Sequence, residues 1–215
     1  MKISTKSFFL ITIALLTFSC TEDNFDYKYS NQPDFLNCNH AHNNLLKEAY
    51  YTFDNDITAY YGKYDAYPNP ISNYSKFIIK GVNGSARYFR LVTPHTKKVF
   101  EALKEIDGLW NTNGKDSFLN YNSEIITCIG DNIQDEDLKT TFKALISVNS
   151  MSPTVFGAPL IQKYQQLTTD KHLGLYAALD LYFERLFDAD LSSKQKIKRP
   201  KKEEKEVEDH SGHNH

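Results

Sequence analysis

The amino-acid sequence predicts an all-α fold: an irregular helical bundle over residues 37–190, with a disordered N-terminal tether and C-terminal tail. Apolar residues recur at three- and four-residue spacing in several segments, and residues that start or end helices flank those segments. No convincing run alternates between apolar and polar residues, as a half-buried strand would. The chain has 215 residues, which is long enough for one domain of this kind.

The clearest predicted helix covers residues 43–62. Asn43 or Asn44 can cap its first turn, and Gly62 ends it. Its apolar stripe is formed by Leu45, Leu46, Ala49, Tyr50, Phe53, Ile57, Tyr60 and Tyr61. Residues 66–81 then predict a loop followed by a short helix or a strand.

Two further helices are expected in the middle of the chain. Thr93 and Pro94 make a capped start with proline in the first turn, and Gly108 ends that helix. Residues 116–129 are expected to form the next helix, which stops before Gly130.

The last helices carry their own signals. Residues 134–149 begin with acidic side chains, which the helix dipole favours in a first turn. Ser152 and Pro153 repeat the capped start, and Pro159 should kink the helix that follows. Residues 168–187 are apolar almost all round, which predicts a central helix packed on several sides.

The first residues have the organisation of an export signal. Lys2 and Lys6 precede an apolar run from Phe8 to Phe18, which is too short to span a bilayer. Ser19 and Cys20 follow this run, and the arrangement resembles the lipobox of bacterial lipoproteins. The resemblance implies that residues 1–19 are a signal peptide and that acylated Cys20 anchors the mature chain to a membrane.

The residues after Cys20 indicate a destination. Glu22 and Asp23 are similar to the acidic surface-export signal of Bacteroidetes lipoproteins, and Thr21 is not the aspartate that retains enterobacterial lipoproteins at the inner membrane. This resemblance implies an outer-membrane location, facing either the cell surface or the periplasm. Residues 20–36 are then interpreted as a lipidated tether, because they are polar and show no periodicity.

Charge and cysteine content limit the class of protein. The formal net charge is -2, which argues against nucleic acid as a partner. After lipidation of Cys20, Cys38 and Cys128 remain as an even pair in an oxidising compartment, where a disulfide is one expectation. The alternative leaves Cys38 free to bind a metal ion.

Two groups of histidines could bind metal ions. Cys38, His40 and His42 lie just before the first helix, and thiolate with imidazole suits zinc or copper. The alternative interpretation of this segment is a turn that caps the helix.

The second group lies in residues 191–215, a stretch of blocked charges with few large apolar side chains that predicts disorder. His210, His213 and His215 in this tail could bind copper, nickel or zinc weakly, or the tail could simply be solvated.

Tyrosine is concentrated between residues 50 and 74. Aromatic rings with hydroxyl groups are good contacts for sugars or partner proteins. The candidate contact residues are Tyr61, Tyr64, Tyr67 and Tyr74. The alternative is that these side chains pack the core and hold down the loop.

No known catalytic signature is present in the sequence. Asp180 stands out because its carboxyl group falls in the most apolar helix, where it needs a partner or a shifted pKa. The first functional hypothesis is a non-enzymatic lipoprotein, anchored at the outer membrane, that binds a protein partner or ligand. The second is metal handling through the histidines, and the third is an enzyme with an unrecognised site.

Overall fold

The computed structural model describes residues 25–38, 40–111 and 117–192. Across these ranges the chain forms helices and no strand, and a single isolated bridge pairs Trp110 with Leu119. The all-α prediction is confirmed. The helices are α1 (Asn43–Tyr61), α2 (Pro70–Val82), α3 (Tyr88–Leu91), α4 (Pro94–Lys104), α5 (Glu124–Asp131), α6 (Glu136–Ser147), α7 (Gly157–Gln162) and α8 (Lys171–Ala177), with a 3₁₀ turn at Tyr164–Thr168.

Helix α8 continues as a π-helical segment (Ala178–Phe183) and a 3₁₀ segment (Glu184–Phe187), and we call residues 171–187 the central rod. Asp170 caps it, because its Oδ1 accepts the backbone N–H groups of His172 and Leu173, both at 3.1 Å. Nearly every side chain of the rod is buried, as the apolar sequence predicts. The rod packs against α1, α2 and α5, so it forms the centre of the bundle.

Helix α1 follows its predicted span but not its predicted cap. His42 holds the cap position without a side-chain hydrogen bond, and the Asn43 amide donates instead to the carbonyl of Cys38. Gly62 ends the helix, and its backbone N–H donates to the carbonyl of Thr58 at 2.9 Å. Helix α1 packs against α2 and α4 as well as against the rod, so it joins these two helices to the centre of the bundle.

The predicted start of α5 lies too early in the chain. Helix α5 begins at Glu124, where Ser123 Oγ accepts the N–H of Ile126, and not in residues 116–117. Its predicted end is also wrong, since Gly130 lies inside the helix. A Cβ at Gly130 would stand 2.5 Å from a ring carbon of Phe142, so close packing requires glycine at this position.

Helices α2, α7 and α4 also differ from their predicted bounds. Helix α2 begins at Pro70 with Asn69 as its cap, inside the segment predicted as a loop. Helix α7 begins at Gly157, so Pro159 lies in its first turn, where it needs no backbone donor and causes no kink. Helix α4 starts at the predicted Thr93 cap but ends at Lys104, before Gly108.

Residues 25–36 pack on the bundle, and we call them the strap. Phe25, Tyr27, Phe35 and Leu36 are partly buried against the core. The interpretation of residues 20–36 as a tether is therefore corrected for residues 25–36, and the folded domain begins earlier than residue 37.

Candidate functional site

The Sγ atoms of Cys38 and Cys128 are bonded, and their Cα atoms are 5.9 Å apart. The disulfide ties the segment before α1 to helix α5, over a sequence separation of 90 residues. Because both sulfur atoms are used in this bond, Cys38 is not a metal ligand in this structure. The hypothesis that Cys38 binds a metal together with His40 and His42 is therefore wrong.

His40 and His42 form part of a turn. Their ring centroids are 5.2 Å apart, and the backbone N–H of His42 donates to Nδ1 of His40 at 3.2 Å. Within the described ranges, no group of three or more histidine, cysteine or acidic side chains could hold a metal ion. Cys20 and the histidines at positions 210, 213 and 215 lie outside the described residues.

The four tyrosines predicted as contacts separate into two pairs. Tyr74 is 1% exposed and donates its hydroxyl to Asp54 at 2.8 Å, so its predicted contact role is wrong. The hydroxyl of Tyr61 is buried as well, and burial raises its pKa to about 12. Tyr64 and Tyr67 are 88% and 83% exposed in the loop between α1 and α2, so both rings are open to a partner.

The strap is held by the side chain of Glu48 in α1. Its carboxylate is fully buried and accepts the backbone N–H groups of Lys28 and Tyr29, at 2.8 and 2.9 Å. Nε2 of His95, in the first turn of α4, lies 2.6 Å from the same carboxylate. Hydrogen bonds to a buried carboxylate are among the stronger ones in proteins, so this contact fixes the position of the strap.

The neighbouring residue of α1 holds the next part of the strap. Lys47 Nζ donates to the carbonyls of Ser30 and Gln32 at 3.1 and 3.3 Å, and to Asp34 Oδ1 at 2.6 Å. One turn further along α1, the Tyr51 hydroxyl donates to the carbonyl of Pro33 at 3.1 Å. Lysine and glutamate are rarely buried unless they are paired, and here the strap provides the partners of both.

The sequence contains a signal for the strap that the periodicity search missed. Residues 25–30 alternate between partly buried and exposed, with Phe25, Tyr27 and Tyr29 facing the bundle. The rings of Phe25 and Tyr29 both lie about 6 Å from the ring of His95. Aromatic residues at every second position, Phe25, Tyr27 and Tyr29, are therefore the feature that distinguishes the strap from a solvated tether.

The interior contains carboxylates that are paired with tyrosines. Asp180 is fully buried in the central rod and accepts the hydroxyls of Tyr121 and Tyr176, at 2.7 and 2.8 Å. Burial raises the pKa of Asp180 to about 7, although the two tyrosine hydrogen bonds act in the opposite direction. Since Asp180 has no exposed surface, it cannot contact a substrate in this conformation, and its role here is structural.

A second pair joins α1 to the rod. Asp56 Oδ2 accepts the hydroxyl of Tyr182 at 2.8 Å and the hydroxyl of Thr96 in α4. Burial raises the pKa of Asp56, and both hydrogen bonds oppose that shift. These buried pairs fix how α1, α4 and the rod sit against each other, which in turn positions Glu48 and the strap.

Comparison of the chain with protein-family models, curated proteins and solved structures found no match. No helix among the described residues is long and apolar enough to cross a membrane.

Proposed function

We propose that this protein is an outer-membrane lipoprotein, anchored through Cys20, whose helical domain binds a protein partner through the loop that carries Tyr64 and Tyr67. The observation that carries the proposal is the position of this loop relative to the strap. The strap is held at the N-terminal end of α1 by Glu48, whereas the loop follows the C-terminal end of α1 at Tyr61.

The disulfide supports an exported location. Disulfides form and persist in oxidising compartments and are rare in the cytosol. Cys38 and Cys128 are the two cysteines that remain once Cys20 is assigned to the anchor, and they are joined to each other.

The docked strap supports a position of the folded domain close to the membrane. The described part of the strap starts at Phe25, five residues after Cys20. Consecutive Cα atoms are at most 3.8 Å apart, so Cys20 cannot lie more than about 19 Å from Phe25. A lipid on Cys20 would therefore hold the N-terminal end of α1 next to the bilayer surface.

The tyrosine loop would then face away from the anchor. Glu48 and Tyr61 are separated along α1 by about 20 Å, given the rise of 1.5 Å per residue. Lys63 Nζ lies 5.3 Å from the ring centroid of Tyr64, so the loop presents a cation beside an aromatic face. Exposed tyrosines supply large contact areas at low entropic cost and are enriched at protein interfaces.

Metabolic labelling with palmitate tests the anchor. The mature protein should take up label and fractionate with the outer membrane, and the Cys20→Ala variant should do neither. Absence of label from the native protein, or membrane retention of the variant, would refute anchoring through Cys20.

Site-specific photo-crosslinking in intact cells tests the partner surface. A benzophenone side chain in place of Tyr67 should give a discrete adduct of higher mass, since that ring is 83% exposed. The matched control places the same group at Val155, which is 47% exposed on a different part of the bundle. No adduct at position 67, or equal adducts at both positions, would count against the loop as the binding surface.

A further inference from the structure

A polar cleft lies beside the turn that precedes α5. It consists of two adjoining cavities of about 190 and 300 Å³, which share Asn120 and Asn122. Side-chain amides dominate the smaller cavity, whose walls include Asn111, Asn120, Asn122, Asn149, Tyr121 and Met151. The larger cavity adds the carboxyl groups of Asp107 and Glu124.

Asn149 occupies a position where the backbone would favour glycine. It follows the C-terminal cap of α6 with a φ of 50°, in the left-handed region. The N–H of Ser150 donates to the carbonyl of Leu145 and the N–H of Asn149 donates to that of Ile146, at 2.9 and 3.0 Å. This is the Schellman arrangement, whose left-handed residue is usually glycine. Glycine would satisfy this turn as well, so the turn itself does not need the side-chain amide that Asn149 adds to the cleft.

Two of the amides that line the cleft are available to a ligand. The side chains of Asn122 and Asn149 make no hydrogen bond to any described residue. Each amide offers two donors and one acceptor with two lone pairs, which complements hydroxyl groups that both donate and accept. Among the described residues, neither cavity is lined by lysine or arginine, and Asp107 and Glu124 line the larger one, so this described lining is a poor match for a phosphate or another anion.

The rest of the cleft suits a flat, partly apolar surface. The ring of Tyr121 lines the smaller cavity, and its hydroxyl is fixed by the bond to Asp180. Ile146 and Met151 provide the only aliphatic surface among the described residues there, too little for the side chains of a peptide. The larger cavity is at the lower end of the range of about 300–1,000 Å³ that small-molecule sites occupy.

We infer that this cleft binds a neutral saccharide of one or two sugar rings. Amides and carboxylates contact the hydroxyl groups, and the Tyr121 ring packs against the C–H face of a sugar. This inference concerns a surface separate from the tyrosine loop, and it does not depend on the lipid anchor.

Saturation-transfer NMR on the full chain, with maltose, cellobiose, lactose and chitobiose at millimolar concentration, tests the inference. At least one disaccharide should receive saturation, while inorganic phosphate and trialanine should not bind. Asn149→Gly keeps the backbone geometry of the turn and should weaken binding about fivefold, as should Asn122→Ala. Asn83→Ala, an exposed asparagine at the end of α2, is the control and should bind like the native protein.

Denaturant unfolding of Asn149→Gly should show a stability no lower than that of the native chain, which separates lost binding from lost folding. Three results would overturn the inference: no binding of any of the four disaccharides, binding that both variants leave unchanged, or binding of phosphate or trialanine at the same residues.

Discussion

Glu48 Oε1 lies 2.6 Å from Nε2 of His95, so a fully buried carboxylate of α1 contacts the first turn of α4 directly. The same carboxylate accepts the backbone N–H groups of Lys28 and Tyr29. One side chain therefore joins two helices and the strap, and removing its charge should release the strap before it unfolds the bundle.

Glu48→Gln tests this dependence. The substitution replaces one acceptor oxygen with an NH₂ group that faces donors, so at least one buried N–H loses its partner. We expect the free energy of unfolding to fall by about 2–3 kcal/mol, measured by urea denaturation. Limited trypsin digestion should also cleave after Lys28 faster than in the native protein.

The control for this experiment is Glu101→Gln in α4. The Glu101 side chain is 66% exposed and, among the described residues, pairs with Lys104 alone, so the change should stay within about 0.5 kcal/mol. Equal urea midpoints and equal protection of Lys28 in Glu48→Gln and native protein would show that Glu48 does not hold the strap.

Local signals account for the parts of the fold that the sequence predicts well. Thr93 forms a capping box with Thr96, and Asp135 accepts the N–H of Leu138, so the starts of α4 and α6 depend on residues only three positions apart. The central rod is recognisable because its apolar side chains surround the helix axis.

Distant contacts account for the parts that the sequence does not predict. The strap is held by Glu48, 19 and 20 residues away from the groups it binds. Tyr74 is buried because Asp54 accepts its hydroxyl from a different helix, which tyrosine density alone cannot show. The cleft was missed for the same reason, since Asn149 and Asn122 come together only through the packing of the chain.

The disulfide should make a large contribution to stability. Closing a loop between residues 90 positions apart is worth about 4–5 kcal/mol in the chain-entropy model. The double variant Cys38→Ser, Cys128→Ser should lose about that amount in urea unfolding. Dithiothreitol should destabilise the native protein to the same extent and leave the variant unchanged, and free thiols at Cys38 and Cys128 in the unreduced protein would contradict this prediction.

Gly174 in the central rod should not tolerate a side chain. A Cβ there would lie 2.6 Å from Cε2 of Tyr50, a buried ring that has little room to move. Gly174→Ala should therefore cost about 1–3 kcal/mol, measured by thermal or urea unfolding.

Gly81→Ala in α2 is the matched control for this steric effect. Its Cβ would meet Leu181 Cβ at 3.4 Å, an ordinary contact, and alanine has a higher helix propensity than glycine. The control should be neutral or up to about 1 kcal/mol more stable. A Gly174→Ala protein as stable as the Gly81→Ala protein would show that the rod can move away from α1.

The contribution of Asp180 to stability should fall as pH rises from about 4 to 7, whereas the buried His172, whose pKa burial lowers, contributes with the opposite sign. Burial raises the pKa of Asp180 from 3.8 to about 7, so between these values the folded chain holds a proton that the unfolded chain has released. Within that window, the Asp180 contribution to the free energy of unfolding decreases by up to about 1.4 kcal/mol for each unit that the pH rises. Burial also raises the pKa values of Asp54, Asp56 and Glu184, and these contributions have the same sign.

Asp180→Asn isolates the contribution of Asp180. Because the amide does not ionise, the variant should lose less stability than the native protein between pH 5 and pH 7.5, measured by urea unfolding. Asp131→Asn, which removes a half-exposed carboxylate, is the matched control for the loss of one acidic side chain. Identical slopes for Asp180→Asn and native protein would show that Asp180 does not titrate in this range.

Metal titration tests the alternative function, in which His210, His213 and His215 bind copper, nickel or zinc. The full chain should bind with modest affinity, because any segment that closes around an ion loses conformational entropy. Binding should weaken below pH 6, since imidazole groups with a pKa of about 6.5 become protonated and lose their lone pair.

The comparison that decides between sites is a chain truncated after Ser193, titrated with the same three ions by calorimetry. Loss of binding in the truncated chain would assign the ions to the histidine tail. Equal binding by both chains would instead assign them to His40 and His42, whose rings lie side by side in the turn before α1. No binding by either chain would remove metal handling as a function and leave partner binding at the tyrosine loop.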